Sequence, residues 1–97
     1  MTKFLAELYI ARAKCDATAE GWERLRRAAA ELTAEGRPVR PVRSIFVPED
    51  ETCFLLVEAV TVDDVHEAAR RAELACDHVA EAAVELAEAP AAEGSVS

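Results

Sequence analysis

The apolar positions between Arg43 and Ala59 fall into two runs, S-I-F-V and T-C-F-L-L-V-E-A, around the polar segment Pro48-Glu49-Asp50-Glu51. Runs rich in apolar and β-branched residues that flank a short polar turn predict a β-hairpin. The second run is apolar on both parities, so both faces of that strand require cover. Glu58 stands near its end, among residues expected to be buried. Upstream, Phe4 to Ala11 reads as a first strand. Phe4, Ala6, Leu8 and Ile10 share one face, and Leu5, Glu7 and Tyr9 share the other.

Between these segments the period changes. Trp22, Leu25, Ala29 and Leu32 recur at near-helical spacing. Asp16 or Thr18 can cap the start of this helix. Gly36 suits its C′ position, and Pro38 blocks continuation. The second strand runs from about Val39 to Val47, with Pro41 marking it as an edge strand. The third spans Thr52 to Val60. Thr61-Val62-Asp63-Asp64 predicts a capping box, with Asp64 reaching back to the Thr61 amide. The helix it opens runs to about Glu73, with Val65, Ala68, Ala69 and Ala72 inward. Asp77 to about Leu86 reads as a fourth strand, although its alanines also suit a helix. Residues 1–86 then form one domain. Residues 87–97 form a tail with too little apolar area to offset the entropy of ordering it.

The order β-α-β-β-α-β, with a central hairpin and right-handed crossovers, predicts a ferredoxin-like α+β fold. Its single antiparallel sheet has the order 4-1-3-2, and both helices pack on one face. The other face would carry Leu5, Glu7 and Tyr9 from strand one and Phe54, Leu56 and Glu58 from strand three. Strand two would add Ser44 and Phe46, and strand four Val79, Glu81 and Ala83. A contiguous apolar face of that kind marks an interaction surface. The simplest cover is a second copy about a two-fold axis, giving a homodimeric α/β barrel.

Such a dimer encloses Glu7, Glu58 and Glu81. A buried carboxylate must be protonated, paired or coordinating, which makes these three the leading site candidates. Tyr9 and Ser44 complete the lining. The bland alternative places the carboxylates at the cavity mouth, solvated or paired with Arg12 or Arg43.

Composition narrows the partners. The 97 residues carry 11 Lys+Arg against 19 Asp+Glu, a net charge of −8. That charge disfavours phosphate backbones and anionic membranes. Three cysteines (Cys15, Cys53 and Cys76) form no C-x-x-C pair, and no iron–sulfur ligand set is present. The N-terminus runs directly into a strand pattern without signal-peptide organisation. The expectation is a cytoplasmic protein. Cys53 falls on the helix-facing parity, where free cysteine behaves as a small hydrophobe.

The opening K-F-L-A-E-L-Y, the central S-I-F-V-P-E-D-E-T-C-F followed by E-A, the helix V-H-E-A-A-R-R-A and the closing D-H-V-A-E-A resemble a family of small bacterial ferredoxin-like proteins. The family is classed as a domain of unknown function and includes a nickel-binding protein. The resemblance spans about residues 3–86. It implies a homodimeric α+β barrel and, as a metal ligand, His66 on the V-H-E-A helix. The chain departs from the His-rich nickel-binding member in having only His66 and His78. Neutral imidazole suits nickel, but a selective site needs further ligands.

Three functions remain open from sequence. The first is a homodimer that holds a small ligand or a divalent metal such as nickel in an acidic, partly apolar cavity between its sheets. The second is a cofactor-free enzyme with Glu7 or Glu58 as general base and Tyr9 orienting the substrate. The third is a structural or regulatory dimer with a filled interface.

Overall fold

The computed structural model describes residues 1–85; the tail expected over 87–97 and the end of the domain expected at 86 lie outside them. Strand β1 (Thr2–Tyr9) is followed by helix α1 (Ala17–Ala34), strands β2 (Val39–Val47) and β3 (Thr52–Ala59), helix α2 (Val62–Arg71) and strand β4 (Cys76–Glu81). The strands form one antiparallel sheet in the order β2-β3-β1-β4. This is the expected βαββαβ ferredoxin-like arrangement. The fourth strand forms because pairing with β1 satisfies its backbone groups along one edge, but it ends at Glu81 and leaves out Ala82 and Ala83 of the expected span.

The parities expected for β1 and β3 hold. Phe4, Ala6 and Leu8 are buried with Cys53, Leu55, Val57 and Ala59. Leu25, Ala28, Ala29 and Leu32 of α1 and Val65, Ala68 and Ala72 beyond them complete one continuous core. Alanines on both helices permit close approach to each other and to the sheet, since interaxial distance follows side-chain size. Trp22 is half-buried at the margin of this core.

Both helices end in the same motif. At α1, the Arg37 amide donates to the Leu32 carbonyl at 2.9 Å and the Gly36 amide to Thr33 at 3.1 Å. At α2, the Leu74 amide donates to Ala69 at 2.9 Å and the Glu73 amide to Arg70 at 3.0 Å. These are Schellman closures, which require a left-handed residue at C′. Gly36 supplies it at φ 90°, but Glu73 must adopt it at φ 58°. Arg24 Nε also donates to the Ala72 carbonyl at 2.8 Å.

At the start of α2, Thr61 Oγ1 accepts from the Asp64 amide, as a cap requires. The reciprocal half of the expected capping box is replaced. The buried Asp64 carboxylate accepts instead from Arg37 Nε at 2.8 Å, tying α2 to the loop after α1. A second clasp joins the helices. Arg71 lies 2.9 Å from Glu35 and 2.8 Å from Glu67, and Arg70 lies 2.6 Å from Glu67. Hydrogen bonds from Arg70 and Arg71 hold the Glu67 carboxyl down to about 2.

Two irregularities set which side chains reach the open face of the sheet. β2 shifts register against β3 between Pro41 and Arg43, and β4 shifts against β1 between Glu7 and Leu8. Val42 and Asp77 are therefore extra residues, and each reverses the alternation of its strand.

Candidate functional site

Residues directly opposite each other on neighbouring strands project from the same side of a sheet. The register therefore assigns the open face. It carries Lys3, Leu5, Glu7 and Tyr9 from β1 and Phe54, Leu56 and Glu58 from β3. β2 contributes Arg40, Arg43, Ile45 and Val47, while β4 contributes His78 and Ala80. Leu5, Phe54 and Leu56 are only half-buried, and Ile45 is 50% exposed. An apolar band thus crosses the sheet with charged residues at both ends.

Glu58 occupies one end. It stands opposite Lys3 on one side and Arg40 on the other. Its Oε2 lies 3.1 Å from Lys3 Nζ, and its Oε1 accepts from Arg40 Nε at 2.9 Å. Both basic side chains have long apolar stems, which let their charged heads reach the carboxylate from the neighbouring strands. The Glu58 side chain is only 13% exposed, yet its charge is matched. Hydrogen bonds from Arg40, then Lys3, hold its pKa below the ordinary carboxylate value. A carboxylate held ionised in this way is a poor proton acceptor near neutral pH.

A groove of about 500 Å³ opens beside this triad. Val42, Ile45 and Leu56 form its apolar wall, and Lys3, Arg40, Arg43 and Glu58 its polar margin. Val84 and Glu85 line it as well. β4 and β2 are opposite edges of the sheet, so the chain leaving β4 turns across the open face to reach this position. The volume lies within the range of small-molecule sites.

The other end carries Glu7, opposite Phe54 on β3 and His78 on β4. Glu7 is half-buried and His78 exposed. Tyr9 is 63% exposed, and its hydroxyl lies 3.5 Å from Glu51 Oε1. Glu51 closes the hairpin in a left-handed conformation, φ 50°. Its carboxylate accepts from the Arg12 amide at 2.8 Å and its carbonyl from the Ile10 amide at 3.0 Å. These bonds offset the cost of the left-handed backbone and fasten the turn to the end of β1.

The expected site therefore needs two corrections, at Ser44 and Glu81. Ser44 is opposite Leu55, on the helix side of the sheet, with its Oγ 3.5 Å from Cys53 Sγ. The extra residue Val42 turns it there, along with Phe46, and brings out Arg43 and Ile45. Glu81 is opposite Phe4, also on the helix-side parity, and is exposed at the sheet edge. The extra residue Asp77 accounts for this, and it presents His78 and Ala80 in place of Val79 and Glu81. Glu7 and Glu58 are not adjacent. Glu58 faces Lys3, four positions from Glu7 along β1, or about 13 Å at the usual strand rise.

His66 is exposed on α2, the layer on the other side of the sheet. Among the described residues no three His, Cys, Asp or Glu side chains converge. Lys3, Arg40 and Ile45 escaped the sequence reading of the site, and Arg43 entered it only as a partner for the carboxylates. Counting register outward from the hairpin turn would have found Arg43 and Ile45.

No family model matches the chain, and no curated protein matches it in sequence. Among solved structures, the crystal structure of SCO4226 from Streptomyces coelicolor A3(2) superposes with a TM-score of 0.73. Its sequence is 14% identical, and the match covers 87% of this chain and 99% of that one. At that identity the likeness establishes a shared fold. No helix among the described residues is long and apolar enough to cross a membrane.

Proposed function

We propose that the protein is a small-ligand-binding homodimer whose two open sheet faces approach each other and enclose the groove beside Glu58. The observation that carries this reading is the apolar band Leu5–Phe54–Leu56–Ile45, left partly exposed among the described residues on a sheet whose other face packs into the core. Half-buried apolar side chains at a sheet centre gain by removal from water, and a two-fold places the same band against itself. The groove gives the covered face an unfilled volume where a ligand can lie.

The groove differs from the acidic cavity expected around Glu7, Glu58 and Glu81. Lys3, Arg40 and Arg43 outnumber Glu58 and Glu85 along it. The matched charge on Glu58 disfavours the reading of that residue as a general base. Native mass spectrometry of protein purified without an affinity tag tests the proposal. A two-chain ion carrying additional small-molecule mass is expected. A bare single chain contradicts it.

A further inference from the structure

The charges around the groove are not equivalent. Lys3 and Arg40 are both committed to Glu58, at 3.1 and 2.9 Å. Arg43 stands opposite Leu56, one pair along the hairpin from Ile45 and Phe54. Among the described residues it takes part in no salt bridge. It is exposed, lines the groove, and is bordered by Val42, Ile45 and Leu56. A guanidinium above an apolar wall offers a planar pair of donors, and unlike Lys3 and Arg40 it is not held to Glu58.

We infer that the groove takes an amphipathic carboxylate, with the carboxylate on Arg43 and an apolar body along Ile45 and Leu56. Charge complementarity selects the head group. A carboxylate matches the guanidinium fork with two parallel hydrogen bonds, whereas a neutral hydroxyl matches one donor at most. The wall selects the rest of the molecule, because a polar body would lose water there without gaining partners. Divalent cations are disfavoured by the three basic residues at the margin. Val84 lines the same groove, so its side chain can pack on the apolar body. Glu85 is the competing anion, and it opposes binding wherever it reaches Arg43.

This inference deepens the proposed function and rests on the open face being the binding surface. The probe is sodium decanoate, titrated into the full chain by calorimetry and by amide chemical shifts, with decanol as the uncharged comparator. Saturable decanoate binding is expected, with shifts at Ile45 and Leu56 and with decanol weaker by about tenfold or more. Arg43→Gln should weaken decanoate to the level of decanol, Arg43→Lys should retain part of the affinity, and Glu85→Gln should strengthen it. Arg43 is exposed, so these variants fold. No saturable binding, equal affinity for decanoate and decanol, or an unchanged Arg43→Gln variant would overturn the assignment. Sedimentation of the same samples separates the two levels. Binding by a single chain refutes enclosure between two sheets but leaves the ligand class standing. A dimer indifferent to decanoate does the reverse.

Discussion

Lys3 and Glu58 face each other across β1 and β3, with Nζ 3.1 Å from Oε2. Arg40 grips the other carboxylate oxygen from β2. A single acidic residue thus links three neighbouring strands at one end of the open face, as a charge clamp and not as a free base. Its pKa is lowered by folding, so the stability it contributes is present above the ordinary carboxylate value and is lost as pH falls through the folded value. Glu58→Gln is therefore expected to lower the thermal midpoint at neutral pH. The difference from wild type should shrink at acidic pH, as pH falls through the folded value of Glu58. Melting curves at neutral and acidic pH check this.

The helix clasp should dominate acid sensitivity. Glu67 titrates at about 2 in the folded chain against 4.5 as a free side chain. Glu35 is lowered as well, chiefly by its hydrogen bond from Arg71. Stability from this cluster persists above 4.5 and drains away towards 2. Glu67→Gln should flatten the dependence of unfolding on pH in that interval. It should leave the slope at higher pH unchanged. Urea titrations across the range report both.

The two helix C-termini make opposite predictions from one motif. Gly36→Ala places a Cβ on a left-handed residue and should cost about 1 kcal/mol. Glu73→Gly relieves the same strain and should gain up to about 1 kcal/mol. Denaturant midpoints at unchanged m-value are the measurement.

Leu32 is fully buried between α1 and the sheet. Leu32→Ala should cost about 2–5 kcal/mol, from lost burial and the cavity left among close-packed neighbours. Trp22→Ala should cost less than a buried aromatic would, because the ring is only half-covered. Equilibrium unfolding of both variants tests the expected ranking.

The fold was legible because its strongest signals are local. Parity on β1 and β3, the helical stripes, Gly36 and the hairpin turn each follow from a few neighbouring residues. The site was less legible because it depends on two extra residues. Strict alternation from Val39 places Ser44 and Phe46 on the open face; Val42 interrupts it and exchanges them for Arg43 and Ile45. Counting back from the turn pairs Val47 with Thr52 and Ser44 with Leu55, which gives the observed face. On β4, Cys76 and Val79 both pack against the core although an odd number of positions separates them. That spacing is itself the sign of a bulge. The partners of Glu58 could not be read locally, since Lys3 and Arg40 come from distant parts of the chain.

The central claim is that the open sheet face is covered by a second copy. Ile45, half-exposed on the edge strand β2 at one end of the apolar band, is the side chain on which that cover most depends. The direct measurement is sedimentation-equilibrium mass at micromolar concentration for the wild type and for Ile45→Glu, with circular dichroism confirming that both are folded. The account predicts the mass of two chains for the wild type and of one chain for the variant. A wild-type protein with the mass of one chain, or a folded Ile45→Glu variant that remains a dimer, would contradict it.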